Sequence, residues 1–300
     1  MDLLSPKNFK EILLRHNAQP SKRLGQNFLI DKNILKKILD SADLKSTDTV
    51  LEVGPGIGIL TQELAKTANK VVAVEKDKKM CEILEETLND YKNIQIINAD
   101  ILRQDISRDT INDKYKIVAN IPYYLTSPLI RKFLESNNPP SEIILMVQKE
   151  VAQRICAKPP DMSLLAVSVQ FYASPPHQSF EKTSGVGASP KIVSYVSKNC
   201  FWPAPKIDSA IIKITPFGSK PGLDPNLFFK IAKAGFSQPR KQLAGNLSKI
   251  LKLPKEQVNK WLIRNNINPS QRAETLSIED WKNLTASFGS KPGLDPKEVK

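Results

Sequence analysis

Thr49-Val50-Leu51-Glu52-Val53-Gly54-Pro55-Gly56-Ile57-Gly58 decides how the rest of this chain is read. Five residues of extended character run into three glycines at alternate positions, and a helical pattern follows over 59–67. Glycines at the end of a strand permit a tight turn and let the backbone approach a ligand closely. Working outward, strands are predicted at 49–53, 70–75, 94–98, 116–120 and 143–148, with helices at 59–67, 78–88 and 128–135 between them. Strands alternating with helices imply a parallel sheet covered on both faces.

Upstream, Ser5-Pro6 reads as a cap and first residue of a helix to about residue 17. A Lys/Arg-rich loop and an extended stretch at 24–29 follow, and Asp31 caps a second helix to residue 42. Downstream, helices are expected at 149–157 and 163–172, and 192–196 with 209–215 can add an antiparallel edge. After Pro225 no strand pattern returns. Short helices are predicted at 226–236, 242–250, 255–265 and 278–284, the last opened by Ser277-x-x-Asp280 as a capping box. The expected fold is α/β, a Rossmann-like sheet over 1–216 with a small all-helical domain over 226–287. Residues 217–225 read as a linker and 288–300 as a disordered tail. Ser174–Ser189, rich in Ser, Gly and Pro, reads as a loop insert. Phe217–Pro225 and Phe288–Pro296 are the same nonapeptide, FGSKPGLDP, but one follows a strand and the other a helix. They are not equivalent parts of a structural repeat, and neither carries recognisable chemistry.

The net charge of +13 is uneven. From Asn226 onward there are 14 Lys/Arg against 6 Asp/Glu, so the last quarter holds most of the excess. A polyanionic partner follows, and the absence of a strongly apolar amphipathic helix favours nucleic acid over a membrane. Cys81, Cys156 and Cys200 are isolated, which fits free thiols in a reducing, cytoplasmic setting. With only His16 and His177, no transition-metal site is expected.

Glu75 ends the strand after the glycine loop and places a carboxylate where ribose hydroxyls could be held. A dinucleotide fingerprint needs a third glycine where Ile59 stands. The form present, GxGxG at Gly54 and Gly56 onward, looks like the first motif of the S-adenosylmethionine methyltransferases, whose cofactor carries no phosphate. Asp100, after the next strand, can accept from an adenine amino group, although such an aspartate is commonly only a turn former.

Asn120-Ile121-Pro122-Tyr123-Tyr124 is the most specific signal. The lone pair of an adenine N6 is delocalised into the ring. Two acceptors aimed at its hydrogens, the Asn120 side-chain oxygen and the Ile121 carbonyl, favour a tetrahedral nitrogen. An extended pre-proline conformation holds that carbonyl, and Pro122 has no N–H to compete. Tyr123 offers a ring on which a flipped base can stack, worth roughly 1–3 kcal/mol. That is comparable with the cost of unstacking a nucleotide.

These motifs, with Lys22-Arg23-Leu24-Gly25-Gln26-Asn27-Phe28-Leu29, Asn199–Ser209, Phe236–Lys241 and Gln271–Leu276, resemble the ribosomal RNA adenine N6-dimethyltransferase family over nearly the whole chain. The resemblance implies cofactor contacts at Asn27, Leu29, Gly54, Glu75, Asp100 and Asn120, with Gly56 in the same loop. It also implies that Phe201 faces Tyr123 across the target adenine. Packing at the sheet edge remains open for Phe201 and is favoured for Trp202. The implied function is transfer of methyl groups from S-adenosylmethionine to adenine N6 in small-subunit ribosomal RNA, dimethylating two adjacent adenosines, by a metal-free monomer. The Val53–Gly56 loop, the Phe201-Trp202-Pro203-Ala204-Pro205 run and the helical tail around Gln271–Leu276 favour this branch over the 23S-directed resistance branch. A non-catalytic RNA-binding assembly factor would not need Asn120–Tyr123 or Glu75 intact, and a nicotinamide oxidoreductase is disfavoured by Ile59. The insert at 174–189 departs from the family, in which the preceding helix runs almost directly into the next strand.

Overall fold

A computed structural model describes residues 3–105, 111, 114–173, 190–217 and 222–288. Its elements are α1 (Pro6–Arg15), β1 (Phe28–Leu29), α2 (Lys32–Ala42), β2 (Thr49–Val53), α3 (Ile59–Ala65), β3 (Lys70–Glu75) and α4 (Lys78–Thr87). Then come β4 (Ile94–Asn98), β5 (Tyr115–Asn120), α5 (Thr126–Leu134), β6 (Glu142–Gln148), α6 (Lys149–Ile155), α7 (Leu164–Ala173) and β7 (Lys191–Val196). The chain continues through β8 (Phe201–Trp202), β9 (Ser209–Ile214), α8 (Pro225–Gly235), α9 (Leu243–Leu251), α10 (Lys255–Arg264) and α11 (Ile278–Ser287).

The main sheet has seven strands in the order β4-β3-β2-β5-β6-β9-β7. β4, β3, β2, β5 and β6 are parallel, whereas β9 is antiparallel to both β6 and β7. Every residue of β2 is buried, as expected for a strand covered on both faces. Strand order reverses between β2 and β5, and in open α/β sheets ligands bind outside the carboxyl ends of the strands at that reversal. β1 and β8 form a separate ribbon, with Leu29 opposite Phe201 and Phe28 opposite Trp202. Edge-on ring contacts of Phe9 with Phe28 at 5.3 Å and with Trp202 at 5.1 Å join α1 to this ribbon. Asp31 caps α2 through the N–H groups of Asn33 and Ile34, as predicted. Ser5 occupies the N-cap of α1 with Pro6 at the first helical position, but its hydroxyl makes no capping bond.

The chain forms two compact units: the described residues of Met1–Ala152 with Lys191–Pro216, and those of Gln153–Pro190 with Phe217–Lys300. The division after residue 216 falls where it is expected, but the helical unit also takes α7 out of the span assigned to the sheet domain. Its Phe171 stacks on Phe228 at 3.9 Å, and Ala166 and Val167 join the same core. Within the expected linker, Asp224 and Pro225 are the N-cap and first residue of α8. The putdown of α8 on α11 is close: Gly235 lies where any Cβ would overlap the Trp281 indole. Buried Asn246 fixes the α8–α9 turn by donating to the carbonyls of Gly235 and Gln238 at 2.7 and 3.0 Å. Ser277 and Asp280 make the predicted capping box at α11.

The expected insert at 174–189 lies outside the described residues, as do 218–221 and 289–300. Phe288, assigned from sequence to the tail, instead belongs to the helical core. It is 7% exposed, and its ring meets that of Trp261 at 5.3 Å. Phe288→Ala is expected to cost about 3 kcal/mol, the low end for truncating a buried phenylalanine. Chemical denaturation of the two proteins measures this, and an unchanged midpoint would return Phe288 to the tail.

Candidate active site

A cavity opens at the carboxyl ends of β2, β3 and β5, the position that the reversal of strand order selects. Three chain segments bring residues to it: the turn and ribbon from Leu24 to Leu29, the glycine loop after β2, and Asn120–Leu125 after β5. Glu75, Lys76 and Asp100 complete the wall. Asn27, Leu29, Gly54, Gly56, Glu75, Asp100, Asn120, Ile121, Pro122 and Tyr123 are thus gathered around one space. Phe201 is not. It is 3% exposed, pairs with Leu29 in the β1–β8 ribbon and lies in the hydrophobic core. The packing alternative describes the surroundings of Phe201. Trp202 also packs, against Phe9.

The glycine loop is shaped by its acid. Gly54 and Gly56 have φ of 69° and 61°, a region that favours glycine. A Cβ on Gly56 would lie 2.9 Å from the Phe28 ring, so the loop and the ribbon can meet only at a glycine. The Gly56 N–H donates to Glu75 Oε2 at 3.2 Å, and the Asp77 N–H donates to Oε1 at 2.8 Å. Burial pushes the Glu75 carboxyl above its ordinary range, and these backbone donors oppose the rise. Asp100 differs. Lys76 donates to its Oδ2 at 2.9 Å and the Leu102 N–H to its Oδ1 at 3.0 Å. The Lys76 bond holds the Asp100 carboxyl low, so it stays an ionised acceptor even while it serves as a turn former.

Asn120 donates its side-chain amide to the Asn27 carbonyl at 3.2 Å. The amide nitrogen is thereby engaged and the side-chain oxygen is left as the acceptor, the polarity that binding an amine requires. Pro122 follows with ψ of 132°, and Thr126 secures the next turn by donating to the Tyr123 carbonyl. Tyr123 shares a 2.8 Å hydrogen bond with the hydroxyl of buried Ser209, which fixes the plane of its ring. Burial also raises its phenol, so the ring and not a phenolate is presented.

Sequence reasoning missed Glu52, Gln26 and Tyr124 on this wall. Glu52 is 2% exposed and its Oε2 has no hydrogen-bond partner. Burial pushes its carboxyl from 4.5 up to about 8, with the neighbouring Glu75 charge adding to the rise. The signal was available, since one acid interrupts an otherwise apolar run in a strand buried on both faces.

The fold and this cavity define a Rossmann-like methyltransferase. The profile of the family "Ribosomal RNA adenine dimethylase" matches residues 17–289, and the chain belongs to that family of S-adenosylmethionine-dependent enzymes. Ribosomal RNA small subunit methyltransferase A of Dehalococcoides mccartyi is 43% identical, with 94% of this chain and 93% of that protein covered. The protein of the same name from Clostridioides difficile is 40% identical over 97% of this chain and 99% of its own length. Among solved structures, a dimethyladenosine transferase from Plasmodium falciparum matches with a TM-score of 0.73 and 26% identity, covering 88% of this chain and 98% of that one. The 23S rRNA methyltransferase ErmE matches with a TM-score of 0.67 and 25% identity, covering 87% and 98%.

The buried acid makes a pH prediction. Between 4.5 and about 8 the folded state holds the Glu52 proton and the unfolded chain does not, so stability falls as pH rises through that window. Glu52→Gln removes this contribution. The Tm of the variant relative to the parent should climb across the window, and parallel Tm profiles would show that Glu52 is not shifted.

Proposed function

We propose that this enzyme transfers methyl groups from S-adenosylmethionine to N6 of two adjacent adenines in small-subunit ribosomal RNA. It acts in the cytoplasm, as a monomer and without a metal, during ribosome assembly. The observation that carries the reading is the polarity of Asn120, whose amide nitrogen is engaged by the Asn27 carbonyl on the wall of a cavity shared with the glycine loop and Glu75. The names of the relatives above, and 43% and 40% identity to small-subunit enzymes against 25% to the 23S enzyme, support the choice of subunit.

The residues present fit the cofactor. Glu75 is a buried carboxylate for ribose hydroxyls, Asp100 an ionised acceptor for the adenine amino group, and the Gly54–Gly56 turn a stretch of backbone that lines the cavity. Asn27, Leu29 and Asn120 supply the opposite wall, and buried Glu52 adds a second carboxyl that holds its proton up to about pH 8. When bound, S-adenosylmethionine supplies an electrophilic methyl group. The protein's task is then to present the nucleophile. The Tyr123 ring stacks the flipped adenine. The Asn120 oxygen and the Ile121 carbonyl accept the two N6 hydrogens, which frees the nitrogen lone pair as the new bond forms. These acceptors act most strongly on the developing tetrahedral nitrogen, so they favour the transition state over the bound base.

The test is transfer of labelled methyl to unmethylated small subunits, with the modified bases mapped. Asn120→Ala should lower turnover by about 10²–10³, the scale for removing one preorganised group at a developing charge. RNA binding should change little. Normal turnover would refute the role of Asn120, and label on the large subunit would favour the 23S reading.

The helical unit is proposed as an RNA-binding surface. Arg240 and Lys241 are exposed in the turn just before α9, where cations do not favour the helix dipole. Phosphate contact explains their placement. Replacing both with alanine should reduce the salt slope of subunit binding by about two if each touches one phosphate. Cofactor affinity should be unchanged, because neither residue lines the cavity. An unaltered slope would move the surface elsewhere, with Lys22 and Arg23 next.

A further inference from the structure

The turn from Ser21 to Asn27 forms one wall of the cavity, yet no residue of its Lys22–Leu24 segment is buried. Core packing does not hold this segment, so its hydrogen bonds matter. Gln26 makes them at both ends of its side chain. Its Oε1 accepts the Ser21 N–H at 2.7 Å, and its own N–H reaches the Ser21 carbonyl at 3.2 Å, closing the turn on itself. Its Nε2 donates to Asp77 Oδ2 at 2.9 Å, a charge-assisted bond to another part of the fold.

Asp77 is itself engaged three ways. Its Oδ1 caps α4 by accepting the Lys79 N–H at 3.0 Å, its Oδ2 takes Gln26, and its backbone N–H donates to Glu75 Oε1 at 2.8 Å. The residue after Gln26 is Asn27, whose carbonyl receives the Asn120 amide. Two adjacent residues of one turn are therefore tied to opposite sides of the cavity, one beside the carboxylate Glu75 and one at Asn120.

We propose that Gln26 is a positioning residue: by latching the turn to Asp77, it sets the Asn120 oxygen relative to Glu75 and so aligns the adenine acceptor with the cofactor. The proposal rests on reading the cavity as the S-adenosylmethionine site. Gln26 touches neither reacting atom. It acts through Asn27 on one side and Asp77 on the other.

The hydrogen-bond polarity gives a clean test. Gln26→Glu keeps an oxygen for the Ser21 N–H but replaces the Nε2 donor with an acceptor facing the Asp77 carboxylate. Only the latch is broken. Asp77→Asn in the same protein restores a donor–acceptor pair with reversed direction, and asparagine caps a helix as well as aspartate does. Kinetics on unmethylated small subunits, calorimetry with S-adenosylmethionine and hydrogen exchange at the turn are measured for the parent, both single variants and the double variant.

Q26E should raise the KM for S-adenosylmethionine, lower kcat and reduce kcat/KM by about tenfold or more, the scale for losing a charge-assisted hydrogen bond. Exchange at the Ser21–Asn27 amides should speed up. The double variant should recover both the kinetics and the protection. A purely structural tie would lower Tm without a coupled change in KM and kcat. Unchanged kcat/KM in Q26E, or a double variant no better than Q26E, would overturn the role of Gln26. Failure of the parent itself to bind S-adenosylmethionine would instead overturn the cofactor reading, and the alignment role with it.

Discussion

A carboxamide has a donating end and an accepting end, and the site depends on which way Asn120 holds its own. The Asn27 carbonyl takes the amide nitrogen at 3.2 Å, which turns the oxygen into the available group. That carbonyl is in place only because the turn carrying it can come close to the motif. Gly25 at the end of the turn has φ of 64°, and a Cβ there would touch Pro122 at 3.4 Å. Gly54 approaches the same proline from the other side, also at 3.4 Å. Pro122 is thus where turn, glycine loop and catalytic motif converge, and a proline brings no N–H that would need a partner in so crowded a place.

The three acids of the cavity are graded by their surroundings. Glu52 has burial against it and an unpartnered oxygen, Glu75 has burial opposed by the backbone N–H groups of Asp77, Gly56 and Lys76, and Asp100 has a lysine. A ligand bearing positive charge relieves the first two. Ile59, standing where a dinucleotide loop has its third glycine, sets this loop apart from the dinucleotide form. This acidic interior belongs to a chain with a net charge of +13, so the attraction for nucleic acid comes from residues outside the cavity.

Much of this was legible in the sequence because local signals agreed with the fold. The predicted bounds of β2, β3 and β4 are those observed, and alternation with helices gave the parallel sheet. That the glycine loop, Glu75, Asp100 and Asn120–Tyr123 meet at one cavity was readable because each follows or ends a strand at the same edge of the sheet. What was missed depends on contacts distant in sequence. β8 is two residues long and pairs with β1, so no periodicity could announce it or show that Phe201 turns into the core. α7, with the sequence LLAVSVQFYA, is apolar nearly all round and carries no stripe to say which core it enters. Its assignment to the helical unit follows from Phe171 meeting Phe228. Gln26 was visible only as part of a motif, because its partner Asp77 lies 51 residues away.

The two binding tasks of the enzyme rest on charges in different dielectric settings, and salt separates them. Arg240 and Lys241 are exposed, so ions within a Debye length of about 8 Å at physiological strength would compete with the phosphate contacts proposed for them. Glu75 is buried, where mobile ions screen poorly. On the proposed reading, rising salt weakens the hold on RNA well before it weakens the hold on a cationic cofactor. The same contrast explains why the turn from Ser21 to Asn27 matters. It carries the exposed Lys22 and Arg23 on its outer side and lines the cavity with Gln26 and Asn27 on its inner side.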